Sequence, residues 1–284
     1  MISSTRYNAQ AEINRQTELS KQIAQLQASV STGKRLSAPS DDPGAAQRIS
    51  EIRQTQADQV VWNINVNMGT SIASAVDTSL TSISSMIDRA KELVLSGRND
   101  TTSPTDRTAI TQELQSIIAK LDSASTANDP TGAPLYPTGS PLAIPVSDTL
   151  SLPATAQRDQ VFGNVATASG PQTLQQILGA AITAINGSDA ARASDIQASL
   201  DAIDAGNSHI TQVRADQGVR AQRFDAATED LDNSGTDLAA ERNGLESTDL
   251  TYALSEFQAK QTALQAAQTL FAKTNKSTLF DLVG

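Results

Sequence analysis

The chain has 284 residues, a net charge of −10 and only 3% aromatic side chains. So few aromatic residues leave little bulky material for the wide core of a compact enzyme. The acidic balance argues against nucleic acid or an anionic membrane as a partner, and the lack of cysteine excludes disulfides and thiolate chemistry.

The N-terminal phrase MISSTRYNAQAEINRQ has no apolar core of the kind that a cleaved signal peptide needs. No run in the chain approaches the roughly 18 consecutive apolar residues of a membrane-spanning helix. We therefore expect a protein that is either cytosolic or exported without a cleaved signal peptide.

The first helical pattern has apolar residues at spacings of 4, 3 and 4, which follow the helical repeat. The stretch VSTGKRLSAPSDDPGAA, residues 30–46, then combines a helix end with a helix start. Glycine suits the residue after a helix, basic residues suit the negative helix end, and Asp-Pro suits the start of the next helix. The predicted inter-domain joint consists of Gly33, Lys34, Arg35, Pro39, Asp41, Asp42 and Pro43.

A long second helix follows, with weaker or partner-dependent packing predicted at its polar stripe positions Gln56, Gln59 and Asn63. Gly97 with Asn99 is expected to end it, and Ser103-Pro104 to start a third helix. The apolar stripe of the second helix contains Val76, Leu80, Ile83, Ile87, Ala90 and Val94. That of the third contains Ile110, Leu114, Ile117 and Leu121.

Residues 129–171 hold seven of the ten prolines, which excludes helix from most of the segment. Leu142–Val146 and Thr149–Leu152 are the best candidates for extended structure. We expect a small β-hairpin or an irregular insert, followed by a short helix at about 172–186.

A seven-residue repeat dominates the C-terminal part and predicts one helix over residues 189–243, about 80 Å long. Its seam residues are Ile196, Ile203, Ile210, Gln217, Phe224, Leu231, Leu238 and Leu245. After Asn243-Gly244 the phase of the repeat changes, and a new apolar series starts at Leu250. Both ends of the chain are thus amphipathic, and a lone apolar stripe must be covered. The predicted assembly interface is Leu19, Ile23, Leu26, Val30, Leu250, Phe257, Leu264 and Phe271.

The residue types needed for catalysis or metal binding are scarce. His209 is the single histidine and is expected to be a partly exposed helix residue. Helix capping explains Asp41 and Asp42 more simply than an acid–base pair does. The chain has no G-x-S-x-G elbow and no P-loop. We therefore predict no enzyme activity, no cofactor and no metal site.

Two terminal phrases carry a family resemblance, QLQASVSTGKRLSAPSDDPGAAQRI near the N-terminus and QTALQAAQTLFAKTNKSTLFDLVG at the C-terminus. Both resemble the flagellin superfamily, and within it the hook–filament junction branch, the hook-associated protein 3 family. The phrase VSDTLSLPATAQRDQVFGN is similar to the segment that returns the chain to the core in that branch.

The resemblance implies a structural protein of the bacterial flagellum with a mainly α fold, an elongated long-helix bundle or coiled-coil rod. The implied domains are a terminal helical assembly domain (1–38 and 246–284), a helical rod domain (39–128 and 172–245) and a small Pro-rich outer insert (129–171). The implied partners are hook-associated protein 1, flagellin, further copies of the chain and an export chaperone at the C-terminal segment. Export through the flagellar type III apparatus is implied too.

Three other interpretations remain open at the level of sequence. The short insert favours a filament-forming flagellin of the same superfamily. A surface binding protein or adhesin could present the insert, with Tyr136 and Phe162, as its recognition surface. The heptads alone also permit a cytosolic coiled-coil scaffold.

Overall fold

Most of the chain is α-helical in the computed structural model, which describes residues 2–36, 38–98 and 103–280, with side chains for 9–36, 38–98, 103–188 and 191–273. The helices are α1 (Ile2–Thr32), α2 (Pro43–Gly97), α3 (Pro104–Ser125), α4 (Arg158–Phe162), α5 (Leu174–Ile185), α6 (Asp189–Glu246) and α7 (Leu250–Phe280). The strands are β1 (Ala143–Pro145), β2 (Ser151–Pro153), β3 (Val165–Thr167) and β4 (Gly170–Gln172). The prediction of a mainly α protein is confirmed.

Local capping signals account for several helix ends. Gly33, which follows α1, has a φ of 68°, a left-handed conformation that glycine adopts without strain. Ser103 caps α3 in a capping box with Asp106, and Pro104 is the first helical residue. Helix α2 ends at Gly97 as predicted, whereas Asn99 lies outside the described residues.

The chain divides into two compact units, the first made of Met1–Ala57 and Ser234–Gly284 and the second of Asp58–Asn233. The predicted boundaries at 38/39 and 245/246 both fall inside the first unit. The reason is that backbone hydrogen bonds tie residues 33–35 to residues 246–248, so the loop after α1 belongs with the end of α6. The division into assembly, rod and outer domains stays a prediction about roles in the flagellum.

The core of the second unit is built from the predicted stripes. All six stripe residues of α2 from Val76 to Val94 are at most 2% exposed. The α6 seam is buried at each heptad position from Ile196 to Leu231, including Gln217. The Gln217 side-chain amide donates a hydrogen bond to the carbonyl oxygen of Ala154 at 2.9 Å, which allows a polar residue at this position. Helices α3 and α5 pack against each other and contribute their own buried stripes.

The insert forms two small antiparallel hairpins around α4. Strand β1 pairs with β2, with Ile144 opposite Leu152, and β3 pairs with β4. The prediction of a small β-containing insert is confirmed. Ile144, Val161 and Val165 of the insert are buried in the same core as the helices, so the insert is part of the second unit.

Two expectations from the sequence are wrong. Gln59, predicted to mark weaker packing, is only 6% exposed. Helix α6 does not stop at Asn243-Gly244, because the amide of Ser247 still donates to the carbonyl oxygen of Asn243 at 2.8 Å, which continues the helical pattern. The break comes at Asp249, whose carboxylate accepts hydrogen bonds from the first amides of α7.

Candidate assembly site: the terminal helix pair and the joint

Helices α1 and α7 pack against each other within the first unit and are called the terminal helix pair below. The ammonium group of Lys260 on α7 donates to the side-chain oxygen of Gln22 on α1 at 2.7 Å. Lys260 also pairs with Glu256 on its own helix at 3.3 Å. The N-terminal and C-terminal helices therefore form one packed pair.

Seven of the eight predicted interface residues are half-buried in this pair: Leu19, Ile23, Leu26, Val30, Phe257, Leu264 and Phe271. The eighth, Leu250, is 52% exposed, and Ala253 takes the inner position one turn later at 4%. Leu250 is the first residue of α7. The two apolar stripes thus cover each other within one chain. That they also form an interface between copies of the chain stays a prediction.

A second set of apolar residues on the terminal helix pair points outward. Ile13, Tyr252, Leu254 and Leu270 are 45%, 67%, 47% and 67% exposed. The seven-residue spacing selects inward positions, so sequence reasoning missed these residues. The available signal was the presence of apolar residues outside the stripe.

The joint connects the end of α1 to the end of α6 through backbone hydrogen bonds. Lys34 and Ser247 form an antiparallel bridge. The amide of Arg35 donates to the carbonyl oxygen of Glu246 at 2.8 Å, and the amide of Thr248 donates to that of Gly33 at 3.0 Å. These bonds hold the loop after α1 beside the loop that precedes α7.

Both carboxylates of the joint have structural partners. Asp42 caps α2 as predicted, because its Oδ1 accepts from the amide of Ala45 at 3.0 Å and Pro43 begins the helix. Its Oδ2 lies 3.3 Å from the guanidinium of Arg35. Asp41 bonds inside the loop instead, accepting from the amide of Ala38 at 2.8 Å. Pro39 lies between these residues in the turn.

Two ion pairs cross between α2 and α6 beside the joint, and we call them the ion-pair brace. Arg48 binds Glu241 through both carboxylate oxygens, at 2.6 and 3.0 Å, and Arg53 pairs with Glu246 at 2.9 Å. The two arginines are five residues apart on α2, and the two glutamates are five residues apart on α6. The two helices run antiparallel here, because α2 starts where α6 ends. The two ion pairs therefore slant in opposite directions relative to the helix axes. Sliding either helix along its axis would increase the distance between the charged groups of one pair.

The pair of Arg48 and Glu241 also perturbs ionisation. The hydrogen bonds from Arg48 hold the pKa of the Glu241 carboxyl below its usual value, and Glu241 raises the pKa of Arg48 in return. Sequence reasoning missed the brace, because only the fold brings residues 193 positions apart together.

The joint and the terminal helix pair are held together by helix packing, backbone hydrogen bonds and ion pairs. Among the residues that the structure describes, no group of three or more His, Cys, Asp or Glu side chains could hold a metal ion. Nor does any helix of the described ranges have the length and apolarity to cross a membrane. His209 is half-buried on α6.

Comparison with known proteins gives matches along most of the chain. Residues 3–130 match the family described as the bacterial flagellin N-terminal helical region, and residues 200–283 match the bacterial flagellin C-terminal helical region. Flagellar hook-associated protein 3 of Escherichia coli is 25% identical, covering 97% of this chain and 96% of its own. A flagellin of Listeria monocytogenes is 24% identical over 90% of this chain and 89% of its own.

Solved structures of flagellar proteins share the fold. A flagellar hook-associated protein-3 of Legionella pneumophila has a TM-score of 0.61 at 13% identity and covers 69% of this chain and 98% of its own. FlgL of Xanthomonas campestris has a TM-score of 0.58 at 14% identity, covering 66% and 98%. Since the two terminal flagellin regions flank the insert here, the chain belongs to the flagellin superfamily, the structural proteins of the bacterial flagellum.

Proposed function

We propose that this protein joins the hook to the filament as a hook–filament junction protein. The observation that carries the proposal is the match to hook-associated protein 3 along nearly the whole of both chains, which is longer than the match to flagellin. The phrases STGKRLSAPSDDP and LFDLVG support the same assignment through their resemblance to the junction branch.

The protein assembles by coupled folding and packing of its two ends. The stripes of the terminal helix pair are only half-buried against each other, and further apolar residues face outward. Neighbouring subunits bury these surfaces, and the entropy cost of ordering the ends keeps free subunits from assembling early. The proposed neighbours are hook-associated protein 1 on the hook side, flagellin on the filament side and further copies of this chain. An export chaperone would bind the C-terminal segment before export without a cleaved signal peptide.

A filament-forming flagellin is the second candidate, because the Listeria flagellin is almost as similar as hook-associated protein 3. The adhesin interpretation loses the two aromatic residues that it assigned to a recognition surface. Tyr136 and Phe162, the two aromatic residues expected to form it, are 0% and 3% exposed. Their rings pack edge to face at a centroid distance of 5.3 Å, so they serve the core of the second unit.

A deletion strain tests the proposal, with electron microscopy of the appendages and measurement of flagellin in the medium. For a junction protein we expect bare hooks and abundant unpolymerised flagellin in the medium. Bare hooks with little flagellin anywhere would favour the filament subunit instead. Intact, working filaments would contradict both assignments.

A further inference from the structure

Exposed β-branched residues lie in an uncharged stretch of α2 on the second unit, and together with the uncharged stretch of the insert that meets it they are called the uncharged surface below. On α2, Val60, Val61 and Ile64 are 60%, 55% and 62% exposed. Their positions i, i+1 and i+4 place them on one face of the helix. The exposed positions of α2 from Asn67 to Glu92 carry only Asn, Thr, Ser, Asp, Arg and Glu, and the next exposed large apolar residue on the helix is Leu95, at 44%.

Helix formation by itself gives no reason for this cluster. β-branched residues lose side-chain freedom in a helix, and the helix propensity of Val and Ile is no better than that of the Asn, Ser and Thr residues that follow. Leaving them in water also loses the free energy of burial. A surface that packs against something is the physical explanation for three such residues together.

Charged side chains are missing from the two stretches of the chain that meet at this cluster. Residues 59–76 contain no charged side chain, and neither do residues 130–147, although 18% of the chain is charged. The side-chain amide of Asn65 donates to the carbonyl oxygen of Pro145 at 2.9 Å, which brings the two uncharged stretches together. Leu142, 70% exposed, extends the apolar surface on the insert.

We propose that this uncharged surface is a contact between neighbouring copies of the chain in the assembled flagellum. Two copies that each carry a net charge of −10 repel each other, and repulsion is smallest where neither surface is charged. A basic partner would instead favour a site rich in Asp and Glu side chains. The inference rests on the proposed function and adds to it the place of lateral contact on the second unit.

The size of the surface explains when this contact forms. The three exposed side chains of α2 offer a few hundred Å² of apolar area, far below the roughly 800 Å² that each partner contributes to a stable interface. The contact is therefore too small to hold a dimer in solution. It contributes in a ring, where the terminal helix pairs bring copies together and raise their effective concentration.

Site-specific photo-crosslinking tests this contact directly. A benzophenone amino acid replaces Ile64, and in a control chain Thr81, which is exposed further along the same helix. In intact flagella we expect Ile64 to yield a product of twice the chain mass of 29.8 kDa, containing peptides of this chain alone. A product with another flagellar protein, or none in flagella that contain the chain, overturns the proposal.

Charge insertion gives an independent test. The double variant V61D/I64D adds two carboxylates to the uncharged surface, and T78D/T81D adds two at the same spacing on exposed positions outside it. We expect unchanged melting temperatures for both, since neither pair lies in the core. V61D/I64D should lose most of the chain from purified flagella, while T78D/T81D retains it.

Normal incorporation of V61D/I64D would overturn the lateral contact and leave the proposed function intact. A failure of the proposed function would give a different result from a failure of the lateral contact. If the deletion strain showed a filament subunit instead of a junction protein, the product between copies at Ile64 would still form, because the contact does not depend on the position along the flagellum.

Discussion

Gly69 sets how closely α2 can approach α6 in the second unit. A Cβ atom at this position would overlap the Cε1 atom of Phe224, whose ring is fully buried and cannot swing into solvent. Gly69 is needed for its lack of a side chain. The surrounding core is closely packed, so the contact cannot be relieved without moving other residues.

We expect G69A to lower the free energy of unfolding by about 1–3 kcal/mol through overpacking, although alanine is the better helix former. Urea unfolding followed by circular dichroism measures the change. G218A on α6 is the matched control, because nothing lies within 4 Å of its added methyl group. The control should gain up to about 1 kcal/mol. Equal effects of the two substitutions would contradict the close approach.

Tyr136 makes the stability of the second unit sensitive to alkali. Burial raises the pKa of Tyr136 from 10.0 to about 12. Below pH 10 both the folded and the unfolded tyrosine are neutral. Between pH 10 and 12 the unfolded state releases its proton first, so the free energy of unfolding falls by up to about 1.4 kcal/mol per pH unit.

The variant Y136F should remove this alkaline contribution and keep the ring packing against Phe162. Urea unfolding at a series of pH values measures it, together with the ultraviolet absorbance of tyrosinate in the folded protein. Y252F is the control, because Tyr252 is 67% exposed. A loss of stability with the same slope in Y136F and the parent would contradict the assignment.

At the scale of elements, the ion-pair brace connects α2 to α6 in the first unit. Glu241 is stabilised as the carboxylate by Arg48, so this contribution to stability is present above the usual pKa of a glutamate. It is lost as the pH falls through the lowered pKa of the folded state. Solvent exposure and salt keep such pairs weak individually, so the pKa is the sensitive measure.

In R48Q the pKa of Glu241 should rise toward its usual value, which carboxyl-detected NMR titration can follow. R89Q is the matched control in the second unit, where Arg89 lowers the pKa of Glu113 in the same way. That variant should shift Glu113 and leave Glu241 unchanged. An unchanged Glu241 in R48Q would show that the ion pair does not form in solution.

At the scale of the whole molecule, the two units differ in how completely they bury their apolar residues. The core of the second unit is almost fully buried, whereas the stripes of the terminal helix pair are half-buried. Local opening requires less free energy where less apolar surface is buried. The ends of the free chain are therefore its most easily opened part.

Hydrogen exchange on the dilute chain checks this difference. Amides of α1 and α7 should exchange about ten times faster, or more, than those of the buried parts of α2 and α6. In assembled flagella the difference should shrink, because neighbouring subunits cover the ends. Strong protection of both ends in the free chain would contradict assembly by coupled folding.

Much of the helical architecture could be predicted from residue spacing. The stripes from Val76 to Val94 and from Ile196 to Leu231 are buried where the repeat placed them, because helical periodicity is a local property. Capping by Asp42 and Ser103 was predictable for the same reason. The end of α6 was not, since Asn243-Gly244 is compatible with a helix whose hydrogen bonds continue.

The superfamily, the mainly α fold and most inward positions of the terminal helices were predictable from the sequence, because they depend on short-range periodicity and on the two terminal motifs. Three features were not predictable from the sequence: the pairing of Arg48 with Glu241, the burial of Tyr136, and the meeting of the two uncharged stretches at Asn65 and Pro145. Each of these joins residues far apart in the chain. Their proximity follows from how the helices pack, which local patterns do not specify.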